Sequence, residues 1–131
     1  MRISFRQLGI VTSALFLVLA LTWMFAPQRL METWGIVSTP MLELVGRRAA
    51  ALYAGVAVMF WLARNAPPSP ARAAMSKGLA LACLILAALG IVELVAGHVT
   101  AGILIAVAIE VTLAVALLLV GVAHTEEGNK K

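Results

Sequence analysis

The chain has 131 residues, of which 63% are hydrophobic and 12% charged, with a formal net charge of +4 and a single cysteine. A soluble domain carries about 45–50% apolar and about 25% charged residues, so both departures point to a bilayer rather than water as solvent, and the length suits one domain, residues 1–131. One cysteine, Cys83, excludes an intrachain disulfide and any cysteine-based metal motif. The cations flank apolar stretches instead of forming a basic stripe with interleaved aromatics, which ties the charge to topology and anionic lipid and leaves no case for nucleic acid.

The first apolar run is "LGIVTSALFLVLALTWMFA", residues 8–26. Arg2 and Arg6 precede it, as in a signal peptide. The run is long for such a core, Met24 is a poor residue three before a cleavage site, and Pro27 would follow the cut. It reads as a retained transmembrane helix. Between Pro27 and Pro40, Leu30, Trp34 and Val37 fall on one helical face, with Arg29 and Glu32 elsewhere. That pattern suits a short amphipathic segment on the membrane surface; Gly35 weakens the helix and leaves an ordered loop as the alternative.

Thr39 as N-cap and Pro40 at the first helical position open the second span, which runs to about Arg64 and crosses over 41–63. Residues 49–63 alone are too few, since roughly 20 are needed. The helix must therefore include "ELVGRR", which draws Arg47 and Arg48 about one turn inside the boundary. "NAPPS" breaks the chain, and Ser69–Pro70 repeats the cap-then-proline pattern. A third helix extends from Pro70 to about Gly97 and crosses over 77–97, with its first turns, which carry Arg72 and Lys77, expected to stay outside the hydrocarbon. "GHVT" is a tight turn, Thr100 is available as N-cap, and the fourth span covers 101–123. The tail "HTEEGNKK" is polar and expected to fray. The predicted fold is thus all-α, a polytopic antiparallel bundle of four transmembrane helices.

Lysine and arginine counts set the orientation. Arg2, Arg6, Arg64, Arg72, Lys77, Lys130 and Lys131 lie on one side, and Arg29, Arg47 and Arg48 on the other, seven against three. Both termini are expected in the cytoplasm. Trp23 and Phe25 then mark the outer interface, and Phe60 and Trp61 the inner one.

The polar residues inside these runs are the candidate site. With the outer edge of the hydrocarbon near Leu44, Gly97 and Ala101, a rise of about 1.5 Å per residue puts Arg47, Arg48 and Glu93 roughly 5–6 Å deep. Glu110 lies roughly 13 Å deep, near the middle of a core about 30 Å thick. Glu43 sits at the edge and His98 in the outer turn. A charge facing lipid costs several kcal/mol, so these groups should face the interior and each other, or reach outward. Glu43 and Arg47 can pair at i,i+4, and Glu93 is the expected cross-helix partner of Arg47 or Arg48. Glu110 shares its face with Gly102, Ala106 and Ala114, a small-residue stripe that invites close approach of another helix. Ala51 and Gly55 are expected to continue the arginine faces inward. The bland readings are structural ion pairs for the arginines, Glu43 and Glu93, a solvated turn for His98, and packing for Tyr53, Cys83 and the methionines. No compact ligand set for a metal is present, nor a glycine-rich phosphate loop or nucleophile elbow, and no cofactor is indicated.

Four short spans, "GRRAAALYAG" on the second, "WLARNAPPSPAR" after it and a glutamate late in the third resemble small bacterial four-helix membrane proteins of the DoxX-like superfamily, in its uncharacterised branches. The resemblance covers most of residues 8–123. It implies an antiparallel four-helix bundle in the inner membrane and little about activity. The leading functional expectation is a non-enzymatic membrane protein whose outer-half pocket binds a small amphiphile or lipid, or a partner membrane subunit. The alternatives are proton-coupled transport or ion conduction through a homo-oligomer with Glu110 as carrier, and a membrane enzyme on a lipid-soluble substrate with Glu93 or Glu110 as acid or base.

Overall fold

The computed structural model describes residues 2–122. Within them the chain is all-helical: α1 (Phe5–Phe25), α2 (Pro27–Thr33), α3 (Pro40–Ala63), α4 (Pro70–Val95) and α5 (Ile103–Val122). All except α2 are long and apolar enough to cross a membrane, and they form an antiparallel bundle. One end carries α2 and the α4–α5 turn; the other carries the start of α1, the α3–α4 connection and the end of α5. Ala123 and the tail, with Lys130 and Lys131, lie outside the described residues.

Local chemistry sets most of the helix ends. Thr39 accepts from the Leu42 N–H at 3.3 Å and Ser69 from the Arg72 N–H at 3.2 Å, each followed by proline, as expected. At α1 a capping box begins the helix before the apolar run: the Gln7 N–H donates to Ser4 Oγ and the Ser4 N–H to Gln7 Oε1. Gly35 (φ 73°) and Gly97 (φ 78°) end α2 and α4 in the left-handed region. At both, the residue after the glycine donates back to the carbonyl five residues earlier, Ile36 to Met31 at 2.8 Å and His98 to Glu93 at 3.0 Å. This is the Schellman arrangement that glycine permits without a Cβ penalty. Gly35 also turns the chain off the α2 face, so Val37 is exposed instead of aligned with Leu30 and Trp34. Thr100 does not cap α5; its hydroxyl is drawn to the end of α2, and α5 begins at Ile103.

The helices pack as two close pairs, α1 on α3 and α4 on α5. Lipid tails are as apolar as leucine, so association in a bilayer depends on close fit and interhelical hydrogen bonds. In the first pair, a side chain at Gly9 would press on the Arg64 backbone, and one at Gly46 would overlap the Trp23 ring. Between them Ser13 Oγ donates to the Ala57 carbonyl at 2.8 Å. In the second pair, Gly90 makes room for Val107 and Gly121 for Ser76. The buried face of α4 reads Ala73, Ser76, Ala80, Cys83, Ala87, Gly90, alternating spacings of three and four, which is a coiled-coil seam built of small residues. The pairs meet through Phe16, Ala57, Phe60, Cys83, Leu113 and Leu117. Phe60 is 1% exposed, so it belongs to this core and not to an interfacial belt. Trp61 does lie outside, with the Arg64 guanidinium 4.0 Å from its ring centre.

Arg72 departs most from its expected position. It is only 6% exposed. Its Nη1 donates to the Ala66 carbonyl at 3.2 Å and its Nη2 to the Val120 carbonyl at 3.1 Å, while the guanidinium lies 3.9 Å from the centre of the Phe5 ring. Val120 is in the last turn of α5, where carbonyls lack helical partners and the dipole favours a cation. One side chain thus clasps the starts of α1 and α4, the α3–α4 connection and the end of α5. Arg72→Met is expected to destabilise the protein by about 2–3 kcal/mol, because charged hydrogen bonds to two enclosed carbonyls are lost; thermal unfolding in detergent measures it. Ser76 points the other way: its Oγ is buried without a partner among the described residues, so Ser76→Ala should leave the melting temperature unchanged or raise it, by up to about 1 kcal/mol in stability.

Candidate functional site

The buried face of α3 runs through Gly46, Ala50, Ala57 and Phe60, with half-buried Tyr53 on the same stripe. At roughly 100° per residue, Arg47 projects to the side of that stripe and Arg48 roughly 200° away from Gly46. Both are exposed. Ala51 and Gly55 are also exposed, and nothing lies within 4 Å of a Cβ built on Gly55. The arginine faces therefore continue outward along the helix exterior, not into the bundle as expected.

The charged residues resolve into two separate local pairs. Glu43 Oε1 accepts from Ser38 Oγ at 2.7 Å, and its Oε2 lies 3.4 Å from Arg47 Nη2, the expected i,i+4 contact in a long, weak form. Glu93 Oε2 lies 2.6 Å from His98 Nδ1. The turn at Gly97 brings this about: it folds His98 back over the last turn of α4 and sets its side chain beside the carboxylate. Neither Arg47 nor Arg48 forms an ion pair with Glu93 or Glu110 among the described residues, and the cross-helix pair is absent. Exposed pairs of this kind contribute little to stability.

Glu110 alone of the six candidates opens into the interior. Toward the α2 end, α1, α3, α4 and α5 surround a partly open chamber of about 200 Å³. Its wall is apolar, formed by residues such as Leu15, Phe16, Leu86 and Ile109, and interrupted by the Glu110 carboxyl, the Tyr53 phenol and the Cys83 thiol. Tyr53 is held edge-on to Phe16, with ring centres 5.8 Å apart. Among the described residues, neither Glu110 nor Tyr53 has a side-chain hydrogen-bond partner. The small residues sharing the Glu110 face account for the space. Ala106 lines the chamber, Ala114 is buried below it, and Gly102 sits at its rim. The stripe thus admits a cavity and a lid where a close transmembrane neighbour was expected.

The lid is α2 with the residues that follow it. Met31 of α2 is buried, and Trp34 packs at a tilt against Trp23 of α1 with ring centres 5.7 Å apart, both tryptophans facing the chamber. Thr100 fastens its far edge: its N–H donates to the Trp34 carbonyl at 2.9 Å and its Oγ1 to the Thr33 carbonyl at 3.1 Å. A Cβ at Gly102 would overlap that Thr33 oxygen, so the lid closes only over glycine. The amphipathic reading of Leu30 and Trp34 pointed to this segment, but its apolar face meets the chamber. Tyr53 and Cys83 were assigned to packing; the small-residue seams of α3 and α4 are the signal that places them inward.

This arrangement offers a partly open, largely apolar volume with one carboxyl, one phenol and one thiol. It can accept or donate a hydrogen bond to a single polar group on a guest whose remainder is apolar. Among the described residues no three His, Cys, Asp or Glu side chains converge to hold a metal. Cys83 is the only cysteine and reports on the lid. Gly102→Ala should speed its alkylation by a lipophilic maleimide by about tenfold or more, the equivalent of about 1.4 kcal/mol of strain at the lid contact; an unchanged rate would mean that Gly102 does not govern closure. Comparison of the chain with family models, with curated proteins and with solved structures yields no match.

Proposed function

We propose that this is a non-enzymatic binding protein of the bacterial inner membrane, with both termini cytoplasmic, that holds a small, largely apolar molecule bearing one hydrogen-bonding group in the Glu110 chamber. The observation that carries the reading is an unpartnered carboxyl opening into an apolar, lidded cavity at the depth of the bilayer interior. Glu110 is half-buried, and a carboxyl placed among hydrocarbon is costly, which makes intramembrane carboxyls functional suspects. The volume holds several waters' worth of space yet falls below the roughly 300–1,000 Å³ of sites for drug-sized ligands, which favours a compact guest. The cation asymmetry supports the orientation, and the likeness of "GRRAAALYAG" and "WLARNAPPSPAR" to the DoxX-like superfamily supports the bacterial inner membrane.

The test is uptake of 1-naphthol, a compact aromatic alcohol, by purified protein in mild detergent, read by fluorescence, alongside native mass spectrometry for a co-purifying small molecule. Glu110→Leu should weaken uptake by about tenfold or more through loss of a charge-assisted hydrogen bond. Ala106→Phe, which fills the chamber, should abolish it. Uptake that ignores both substitutions in folded protein, with no small molecule retained, refutes the proposal.

A further inference from the structure

A second apolar space lies on the outside of the bundle. α1 and α5 touch only lightly and leave between them an open groove of about 670 Å³. From the start of α1 to Leu15 it follows the helix for about 15 Å at roughly 1.5 Å per residue, with Arg2 and Ile3 just beyond the helix end. Half of a hydrocarbon core about 30 Å thick is about 15 Å, so the groove is as long as one leaflet is deep. Its inner end reaches Leu15, Ile109 and Leu113, which also line the Glu110 chamber.

Its polarity is confined to the other end. Thr112 in the wall is satisfied by the Ala108 carbonyl at 2.7 Å, and Gln7 Oε1 is engaged in the α1 capping box. What remains is Arg2 at the mouth, with Arg6 on the first turn of α1. Arg64, Arg72 and Lys77 lie at the same end of the bundle. The described carboxylates are elsewhere: Glu32, Glu43 and Glu93 at the α2 end and Glu110 midway. A cationic rim above an apolar slot one leaflet deep complements a molecule with a negative head and a single long tail in reach.

We propose that the α1–α5 groove binds an anionic phospholipid of the surrounding leaflet, with one acyl chain along the groove and its headgroup phosphate at Arg2 and Arg6. A second copy of the chain is the competing occupant. Related by a twofold axis along the membrane normal, it would set the same cation-rich end against itself with no described carboxylate between them, which the lipid avoids. Occupancy of the groove does not depend on what the Glu110 chamber holds.

The experiment uses the full chain in nanodiscs of equal parts phosphatidylglycerol and phosphatidylcholine with identical tails, released for native mass spectrometry. Retained lipid should be phosphatidylglycerol, enriched on the order of fivefold for each arginine engaged. Arg2→Gln with Arg6→Gln should bring the ratio near one while leaving 1-naphthol uptake unchanged. Ala108→Trp should expel the retained lipid of either kind; Val11→Trp, on the opposite wall, repeats the test if circular dichroism shows that the first variant loses helix. Equal retention of the two lipids by the native protein, or retained lipid indifferent to both tryptophans, overturns the proposal. So does a dimer mass that disappears with Ala108→Trp, which would give the groove to a second copy.

Discussion

Close approach of helix backbones through small residues is the constraint on which the rest of the structure depends. In lipid there is no gain from hiding leucine against leucine, so a stable contact needs steric fit. Gly9 and Gly46 supply it between α1 and α3, and Gly90 and Gly121 between α4 and α5. The seam of Ala73, Ser76, Ala80, Cys83, Ala87 and Gly90 extends it along α4. The large aliphatic residues, among them Leu52, Leu62, Leu81 and Leu119, are left facing out, the arrangement that suits a hydrocarbon solvent.

Two tight pairs do not close a four-helix bundle evenly. Where the pairs meet, Phe16, Phe60 and Leu117 fill the middle, while α1 and α5 touch only lightly, and both the chamber and the outer groove lie along that seam. Each end of the bundle is secured by a different device. At one, Arg72 ties the Val120 carbonyl in the last turn of α5 to the Ala66 carbonyl of the α3–α4 connection; at the other, Thr100 takes the Thr33 and Trp34 carbonyls that end α2, over the space that Gly102 leaves. In each case a donor from one helix pair satisfies backbone acceptors that a helix terminus leaves open. Apart from Ser13, which donates to the Ala57 carbonyl between α1 and α3, the polar groups that bind the elements together are therefore at the ends, and Glu110 lines the chamber without a structural partner among the described residues.

The distribution of charge has a simple logic. Arg47, Arg48, Glu43, Glu93 and His98 lie near the α2 end with access to the surface, where two local pairs form within or just beyond single helices. Such pairs need no burial and impose no register between helices. Glu110 lies between about one and two turns deeper by residue count and faces the chamber. Its difference from the other candidates is one of position along the helix combined with the face it occupies, and it is this combination that sets its carboxyl in the chamber wall.

The number of spans, their order and most of their ends were legible in the residues themselves. Thr39–Pro40 and Ser69–Pro70 act within four residues, and transfer of an apolar run into lipid depends on composition, not on neighbours. The depth of Glu110 followed from counting alone. Facing did not. Arg47 was expected inward because its depth matched that of Glu93, yet depth leaves rotation about the helix axis open, and the Gly46–Ala50–Ala57 stripe turns α3 so that both arginines point out. Arg72 looked like a solvent-side cation until the folded chain brought the ends of α1 and α5 beside it. The lid over the chamber likewise requires α2 to meet residues 100–102, nearly seventy positions away in sequence. Local free energies settled what crosses the bilayer; only the packing of one helix against another could settle which side chains share its interior.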